Sequence, residues 1–371
     1  MSTLKVDSLV NGGKTIDFTY NAKVSNGTLK KEYYEQSTEP AYPCDGALWF
    51  NTSDDTFHVY ANGGWYATTA TLPPTVFGDR GIFGGLYISG NVIDYISIPT
   101  TGNAIDFGDL STANRADAGT VSSGSRGVFG GGLDGFDAYT NIIDYITIST
   151  PSNATDFGDL TAAAEAVTGA SNGTRGLFAG GYAGGGSANA LNTIQYITIA
   201  TTGNATDFGD LIGNRSKPAG CSSALYGIFA GGDNGSYHSN IDYVTIATTG
   251  NAQDFGDLTL ARYQAAGGSN GVRGLIGGGW GTSDGTSAYA DRIDYITMAT
   301  PGNATDFGNL TARRWGLAGA ANQTRMTFAG GYFHPTTYNT IDYITISTTG
   351  NATDFGDLTV ARYKVDGLSG N

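Results

Sequence analysis

The chain repeats one stretch six times, and its second copy is Asn141-Ile-Ile-Asp-Tyr-Ile-Thr-Ile-Ser-Thr-Pro-Ser-Asn-Ala-Thr-Asp-Phe-Gly-Asp-Leu160. The aspartate that precedes the phenylalanine returns at positions 106, 156, 207, 254, 306 and 354. A period of about 50 residues is typical of a repeat architecture such as a propeller. The repeat is therefore the first feature that any account of the fold must explain.

Each repeat contains four short runs that favour β-strands. In the second repeat these include Arg126 to Gly132, then Ile142 to Ile148 after a loop of variable length, then Thr155 to Leu160 after a turn. A segment that carries an arginine and a run of small residues, such as Trp315 to Ala320, completes the unit. β-Branched and aromatic residues favour strands, and glycine and asparagine favour the tight turns between them.

The run Ile143-Asp-Tyr-Ile-Thr-Ile148 has apolar residues at both odd and even positions, as expected of a strand that is buried on both faces. Blades of a β-propeller stack face to face around an axis, which covers both faces of each blade. The sequence therefore predicts an all-β fold with a six-bladed β-propeller over residues 75–371. Its repeats lie near residues 80–125, 126–174, 175–225, 226–271, 272–323 and 324–362.

The two ends of the repeat region predict how the ring closes. The region opens at Arg80 with a second strand and finishes with a first strand that has no blade after it. We expect residues 363–368 to form the closing strand, with Lys364 to Leu368 paired to Arg80 to Phe83. Such a strand removes a free sheet edge and joins the two ends of the propeller.

Residues 1–74 lie outside the repeat and predict a small N-terminal β region. Leu4 to Val10 and Lys14 to Val24 favour strands but contain too few apolar residues for a core, so we expect a partner to order them. Gly46 to Asn51, Thr56 to Tyr60 and Trp65 to Thr68 predict a three-stranded meander. A stiff linker, Thr71-Leu-Pro-Pro74, follows because proline restricts the backbone.

The composition excludes several classes of partner. A formal net charge of −14 repels phosphate backbones, so we expect no nucleic acid. No window of 18 apolar residues exists, and Met1 to Val10 lacks the apolar core of a secretory signal, so we expect no membrane insertion and no secretion. Cys44 and Cys221 are expected to be free thiols in a chain that folds in a reducing compartment.

The repeats resemble the kelch family of propellers. A kelch unit has a Gly-Gly pair ending its second strand, a tyrosine in its third, a tryptophan in its fourth and an arginine before the next first strand. Gly131-Gly132, Tyr145 and Phe157 fill the first three places in the second repeat. Phenylalanine replaces tryptophan in every unit, and Glu165 stands where the second repeat should carry arginine. The resemblance implies a kelch-like architecture and no particular activity.

The N-terminal region resembles that of tail-fibre and other virion structural proteins of tailed phages, marine (cyanophage-like) ones especially. The resemblance rests on Met1 to Val10, Glu39 to Asn51 and Val59 to Trp65. It implies that residues 1–74 attach to other virion proteins and that the protein, made in the host cytoplasm, resides in the virion as a homo-oligomer. The implied function is that of a non-enzymatic tail-fibre or host-attachment component. Two alternatives stay open: a structural tail, nozzle or capsid decoration protein, and a glycan-processing enzyme.

No residue pattern predicts catalysis. His58, His238 and His334 are isolated, without cysteine or carboxylate at ligand spacing. No nucleophile motif or phosphate-binding loop is present. The Asp-Phe-Gly-Asp run partly resembles the Asp box of sialidase propellers, but the serine and tryptophan of that box are missing. Because one substrate needs one constellation, whereas these aspartates recur six times, we expect no catalytic residues, no metal and no cofactor.

The repeated polar residues are expected to serve folding. The first aspartate of Asp-Phe-Gly-Asp is expected to bond to the turn or to pair with the arginine that follows it. Calcium held by the aspartates is the alternative. The Asn-Ala-Thr sequons lie in tight hairpins and are expected to be structural; they begin at Asn153, Asn204, Asn303 and Asn351.

The loop after each glycine pair varies in length and sequence, and we expect all six loops to emerge on one face. They cover residues 86–91, 133–139, 182–188, 233–238, 280–289 and 332–338. Aromatic side chains mixed with asparagine, serine, aspartate and glycine are typical of surfaces that bind carbohydrate or protein. Neutral drift of loops is the alternative. The candidate binding residues, for a host surface glycan or protein, are Trp280, Tyr289, Tyr332, Phe333, Tyr139 and Tyr237.

Overall fold

The structure is a computed structural model, and all its regular elements are β-strands. It describes residues 8–11, 14–17, 33–36, 48–51, 56–61, 64–67, 78–85, 90–112, 115–133, 138–184, 189–283 and 286–370. In this part of the chain no helix is long and apolar enough to cross a membrane. The chain divides into two compact units, residues 1–73 and 74–371, which are described separately.

The described residues of the first unit form two small sheets. Its strands are β1 Ser8–Asn11, β2 Lys14–Asp17, β3 Tyr33–Gln36, β4 Leu48–Asn51, β5 Thr56–Ala61 and β6 Gly64–Ala67. Strands β1 and β2 form a hairpin. Strands β4, β5 and β6 form the predicted antiparallel meander, and β3 adds to its edge in parallel with β4. A parallel partner from residues 33–36 was not predicted, because its polar sequence carries no strand alternation.

The second unit contains six four-stranded antiparallel sheets among its described residues, here called sheets 1 to 6. Sheet 1 holds β7 Arg80–Gly84, β8 Val92–Ser97 and β9 Ile105–Asp109, with a fourth strand from the C-terminus. Sheet 2 holds β10 Gly119–Ser122, β11 Arg126–Gly130, β12 Ile142–Thr147 and β13 Thr155–Asp159. Sheet 3 holds β14 Thr168–Ser171, β15 Arg175–Ala179, β16 Thr193–Thr198 and β17 Thr206–Asp210.

Sheets 4 to 6 repeat this order. Sheet 4 holds β18 Ala219–Ser222, β19 Tyr226–Ala230, β20 Asn240–Thr245 and β21 Gln253–Asp257. Between sheets 4 and 5 lies β22 Arg262–Tyr263, and sheet 5 holds β23 Ala266–Ser269, β24 Arg273–Gly277, β27 Arg292–Thr297 and β28 Thr305–Asn309. Its variable loop forms a hairpin of β25 Trp280–Ser283 and β26 Thr286–Tyr289, and β25 pairs with β22. Sheet 6 holds β29 Ala318–Ala321, β30 Arg325–Ala329, β33 Thr340–Thr345 and β34 Thr353–Asp357, with a hairpin of β31 Tyr332–Phe333 and β32 Thr336–Thr337.

The first strand of sheet 1 comes from the end of the chain. Strand β35 Asp366–Gly370 pairs antiparallel with β7, with Leu368 opposite Ile82. The prediction had placed this strand at residues 363–368, which is wrong in its bounds. Tyr363 and Lys364 lie before the strand, where the backbone takes a left-handed turn at Lys364. The pairing with β7 itself is as predicted.

A β-bulge between the third and fourth strands explains the Asp-Phe-Gly-Asp run. In sheet 2 the register shifts between Ile143 and Asp144, so Phe157 has no direct partner across the ladder. The bulge turns Phe157 into the core, edge-on to Tyr145, with ring centroids 6.0 Å apart. Gly158 follows with φ +147°, and a Cβ there would lie 2.6 Å from the carbonyl oxygen of Gly203 in the neighbouring turn. Only glycine tolerates both this positive φ and this close approach of the neighbouring backbone.

The hydrophobic cores lie between neighbouring sheets. In the third strand of sheet 2, Ile143 and Asp144 are both buried although they point to opposite faces, as the double-sided pattern predicted. The cluster between sheets 1 and 6 joins Phe83 and Ile96 to Ile341 and Phe355. Faces that are covered on both sides, in antiparallel four-stranded sheets, are the arrangement of a β-propeller.

Candidate functional site

Six backbone hydrogen bonds link the segments that enter the first strands of the six sheets. Each N–H donates to the carbonyl of the preceding segment, at 2.7 to 3.2 Å. The bonds run from Asp117 to Lys364, Lys364 to Gly316, Gly316 to Gln264, Gln264 to Lys217, Lys217 to Ala166 and Ala166 to Asp117. The series returns to its starting residue, and these six residues are called the hydrogen-bonded ring below.

Every member of the hydrogen-bonded ring has a left-handed backbone, with φ between 51° and 66°. This conformation is uncommon for residues other than glycine, and five of the six ring residues are not glycine. Five residue types occupy the six ring positions, with lysine at both 217 and 364, although the strands around them are nearly identical. The ring is therefore a place where the chain departs from its own sixfold pattern.

The ring side chains gather around the carboxylate of Asp117. The Nζ of Lys364 lies 2.8 Å and the Nζ of Lys217 3.4 Å from its Oδ2, and the Nε2 of Gln264 donates to its Oδ1 at 2.8 Å. Burial opposes ionisation of Asp117, but the two lysines and the hydrogen bonds outweigh it and hold its pKa below the usual value. Burial lowers the pKa of Lys217, and Asp117 opposes that shift.

Two further carboxyl groups lie beside this cluster. Glu165 is 3% exposed, and its Oε2 lies 3.7 Å from the Nζ of Lys364. Asp366 accepts a hydrogen bond from the backbone N–H of Ala118 at 2.9 Å. Burial, and then the charge of Asp117, raises the pKa of both carboxyl groups. Tyr182 donates a hydrogen bond to Glu165, and burial raises the pKa of this phenol.

A cavity of about 170 Å³ lies between the first strands of the sheets and is lined by residues from all six. The hydrogen-bonded ring stands at one end of it, because each ring residue lies two positions before a first strand. The rest of the lining consists mostly of glycine, alanine, serine and threonine, so the charged groups are concentrated at the ring end.

The variable loops lie at this same end. The residue before each ring residue forms a β-bridge with the residue that opens a variable loop: Ala116 with Leu133, Glu165 with Tyr182, Ser216 with Asp233, Tyr263 with Trp280 and Trp315 with Tyr332. These five loops thus border the ring, as the prediction of a common face requires; residues 86–89 of the first loop lie outside the described residues.

Five of the six predicted binding residues form part of a continuous aromatic network, called the aromatic arc below. Ring centroids lie 4.4 Å apart between Trp280 and Tyr289 and 4.7 Å apart between Tyr289 and Phe333. Tyr237 stacks on Tyr263 at 5.3 Å. Phe333 is exposed, and the others are half-buried. Tyr139 lies apart from the arc, packed edge-on against Tyr182 at 5.9 Å.

Sequence reasoning missed three residues that hold the arc together, Tyr263, Trp315 and Tyr363. Trp315 contacts Tyr363 at 5.5 Å, Tyr332 at 6.2 Å and both Trp280 and Tyr263 at 6.5 Å between centroids. Each of the three follows a buried arginine and precedes a ring residue. The residue at that position varies from repeat to repeat. This variation could have marked the position as a candidate for binding, but the variable loops after the glycine pairs are longer and more conspicuous in the sequence.

The repeated arginines pair with a different aspartate from the one predicted. The aspartates that precede phenylalanine, such as Asp156, are exposed. The partner is instead the buried aspartate of the Ile-Asp-Tyr run in the following repeat. The pairs are Arg115–Asp144 at 2.7 Å, Arg215–Asp242, Arg262–Asp294 at 3.1 Å, Arg314–Asp342 at 3.0 Å and Arg362–Asp94 at 2.7 Å.

Between the second and third repeats, both partners of this ion pair are replaced. Ala164 occupies the arginine position, since its carbonyl accepts the N–H of Gly132 just as that of Arg215 accepts the N–H of Gly181. The prediction that Glu165 holds this position is wrong by one residue. Gln195 stands where the other repeats have aspartate, and its Oε1 accepts the N–H of Thr161 at 2.7 Å. A neutral amide keeps the hydrogen bond and avoids an unpaired buried charge.

The sequon asparagines are structural. The Oδ1 of Asn153 accepts the backbone N–H of Asp109 in the preceding repeat at 3.1 Å, and Asn103 accepts that of Asp357 at the same distance. Equivalent bonds involve Asn204, Asn251, Asn303 and Asn351. The asparagines thus link the outer edges of neighbouring sheets all the way from the last to the first.

The residues considered for metal or thiol chemistry stay apart in the described part of the chain. No group of three histidine, cysteine, aspartate or glutamate side chains there could hold a metal ion. Cys221 is a free, buried thiol, and burial raises its pKa to about 12. The Nδ1 of His334 lies 2.9 Å from the hydroxyl of Tyr332. Cys44 lies outside the described residues.

No protein-family model matches the sequence, and no curated protein matches it. Among solved structures with a similar fold, one described as "Structure of YjhT" superimposes with a TM-score of 0.61 and 11% sequence identity. The match covers 76% of this chain and 98% of that chain. At this identity the similarity concerns the fold alone.

Proposed function

We propose that residues 75–371 form a closed, six-bladed, kelch-like β-propeller that acts as a non-enzymatic recognition module. Closure is supported by the six four-stranded sheets, the pairing of β35 with β7 and the hydrogen-bonded ring that returns to its start. The binding face is the end that carries the hydrogen-bonded ring and the aromatic arc.

One observation carries this proposal: the aromatic arc and the ring lie together where the repeats diverge. A scaffold that is repeated six times presents the same groups in every direction and cannot distinguish ligands. Half-buried tyrosine and tryptophan side chains offer large contact area at little cost in side-chain entropy, and they are frequent at binding hot spots. The indole N–H groups of Trp280 and Trp315 are buried and have no hydrogen-bond partner among the residues that the structure describes.

We further propose that this recognition module belongs to a phage virion and takes part in host attachment. Residues 1–74 would fix the protein to other virion proteins, in homo-oligomeric form, and the binding face would contact a host surface glycan or protein. Support comes from the resemblance of the N-terminal sequence to tail-fibre proteins. A structural tail, nozzle or decoration role uses the same face for contacts within the particle.

The experiment exchanges the two aromatic loops, residues 280–289 and 332–338, for the short loop 233–240. Incorporation into particles and adsorption to host cells are then measured separately. Loss of adsorption with normal incorporation supports host attachment, and loss of incorporation supports the structural role. Unchanged incorporation and adsorption would refute the proposal for this face.

The matched control is Val272→Ser. Val272 is 64% exposed in the hairpin that joins the first two strands of sheet 5, at the opposite end from the ring. Replacing it alters exposed apolar surface without touching the aromatic arc. We expect normal incorporation and adsorption for this variant.

A further inference from the structure

The ring end of the cavity contains a buried polar oxygen that has no hydrogen-bond partner among the described residues. Gln264 is 6% exposed and lines the cavity, and its Nε2 donates to Asp117 while its Oε1 has no partner there. Outside the cavity lining, the Oε2 of Glu165 also lacks a hydrogen bond within the described residues, although the Nζ of Lys364 lies 3.7 Å away. A buried oxygen without a partner costs stability unless a ligand or ordered water satisfies it.

The charges around these oxygens have both signs within a few ångströms. The ammonium groups of Lys217 and Lys364 flank the carboxylate of Asp117, and Glu165 lies on the far side of Lys364. An anionic ligand would approach Asp117 and Glu165, and a cationic ligand would approach the two lysines. Each would meet repulsion in a poorly hydrated site, where electrostatic interactions are strong. The arrangement instead suits a neutral ligand whose groups both donate and accept hydrogen bonds.

Hydroxyl groups meet this requirement, because each one donates once and accepts from two directions. The donors would be the lysine ammonium groups, and the acceptor would be the Oε1 of Gln264. Tyr263 and Trp315 flank the site as the residues directly before Gln264 and Gly316, and their ring centroids lie 6.5 Å apart. Aromatic faces pack against the C–H surface of a hydroxylated ring while its hydroxyls reach the polar groups.

We propose that this channel-mouth pocket, formed by Asp117, Lys217, Gln264 and Lys364, binds one neutral hydroxylated ring, the terminal unit of a saccharide. The inference rests on the proposed function, since it names the chemistry that the recognition face takes. The cavity of about 170 Å³ is similar to the ~150 Å³ engineered cavity that holds one benzene. Because this volume belongs to the whole channel along the six first strands, it admits at most a single six-membered ring, and longer glycans would extend over the aromatic arc.

The test is saturation-transfer NMR and calorimetry on the full chain with neutral monosaccharides as probes. The panel contains D-glucose, D-galactose, D-mannose, L-fucose, L-rhamnose and N-acetyl-D-glucosamine, with D-glucuronic acid and D-glucosamine as charged counterparts. We expect at least one neutral sugar to bind with a Kd of roughly 1 mM, as is ordinary for so small a ligand. Both charged sugars are expected to bind at least about tenfold more weakly, because each meets a like charge.

Two variants locate the binding. Gln264→Met removes the amide at nearly constant volume, and Ala166→Gln fills the mouth at a position whose backbone, φ 59°, resembles that of Gln264 at 51°. The second variant places in sheet 3 a residue that the ring already accommodates in sheet 5, so it is expected to fold. Each should weaken the neutral sugar at least about tenfold. The control variant Val272→Ser should bind as the unaltered protein does.

The possible outcomes separate this inference from the proposed function. If none of the neutral sugars binds while the loop exchange still abolishes adsorption, the pocket inference is wrong and the recognition face stands. Equal binding in Ala166→Gln and in the unaltered protein would place the sugar elsewhere and overturn the inference. Preference for glucuronic acid or glucosamine would overturn the neutral class of ligand.

Discussion

The guanidinium of Arg362 lies 2.7 Å from the carboxylate of Asp94, and both side chains are fully buried. The two residues are 268 positions apart in the chain. The backbone N–H and the hydroxyl of Thr359 also donate to the same carboxylate, at 3.0 and 2.7 Å. The same ion pair joins neighbouring sheets elsewhere in the protein. Here it joins sheet 6 to sheet 1, so the last and first repeats contact each other as consecutive repeats do.

Replacing Arg362 by methionine should reduce the free energy of unfolding by about 3–5 kcal/mol, because it leaves the charge of Asp94 buried and unpaired. Urea denaturation followed by tyrosine fluorescence measures the change. The control is Arg313→Met in the neighbouring repeat, where an exposed side chain lies 3.6 Å from Asp291. That variant should change stability by less than about 1 kcal/mol. Equal effects of the two variants would contradict a structural role for the buried pair.

The second repeat offers a double-substitution test of the same ion pair. Ala164→Arg alone adds a buried cation without a partner, and Gln195→Asp alone adds a buried anion, so each should lower stability by about 3 kcal/mol. The double variant restores the pair found between the other sheets and should recover most of that loss. Chemical denaturation of the four proteins gives the coupling energy. Additive losses would show that Ala164 and Gln195 do not occupy partner positions.

Removal of residues 366–371 deletes β35 and leaves β7 with an open edge. It also removes Leu368 from the cluster that packs sheet 1 against sheet 2. We expect a sharp fall in melting temperature, because a strand and one side of a core are lost together. Removal of Asn371 alone is the control and should leave melting unchanged. A truncated protein that melts like the full chain would exclude β35 as the closing strand.

The variant Asp366→Asn tests how the stability of the protein depends on pH through a buried carboxyl group at the ring end of the cavity. Burial and the charge of Asp117 raise the pKa of Asp366, so folding favours its protonated form. Its contribution to stability is therefore full below the pKa of the unfolded chain and falls as pH rises through the folded pKa. An asparagine keeps an acceptor for the N–H of Ala118 and carries no charge. We expect Asp366→Asn to stabilise the protein at about pH 8 and to have little effect near about pH 3.

The companion variant Asp117→Asn should behave in the opposite way. The pKa of Asp117 is lowered in the folded protein, so its ionised form adds stability above the unfolded pKa, and this is lost as pH falls. Asp117→Asn should therefore destabilise at about pH 8 and matter less in acid. Thermal melting across this range measures both variants. Identical pH profiles for the two would contradict the assigned charge states.

Much of the fold followed from the sequence because the determinants are local. The double-sided burial of Ile143 and Asp144 was predictable from an apolar pattern within a single strand. The hairpin turns were predictable because asparagine and glycine favour them wherever they occur. The chain ends even indicated that a C-terminal strand pairs with β7, since each repeat has the same count of strands. The bounds of this strand were not predictable, because the backbone is left-handed at Lys364 and lysine gives no sign of that conformation in the sequence. The strand therefore begins only after this residue.

The candidate site could not be predicted in the same way, because it is built from contacts between residues that are far apart in the sequence. The partner of Arg115 is Asp144 in the next repeat, since stacked sheets bring a buried carboxylate closer than the exposed aspartates of the arginine's own repeat. The ring residues come from six distant segments, and Asp117 meets Lys364 only because the sheets bring their first strands around one cavity. The sequence alone determined the repeated strands, where short-range preferences of the backbone decide. The tertiary structure decided which side chains share a charge environment, because electrostatic interactions depend on distance and burial in space.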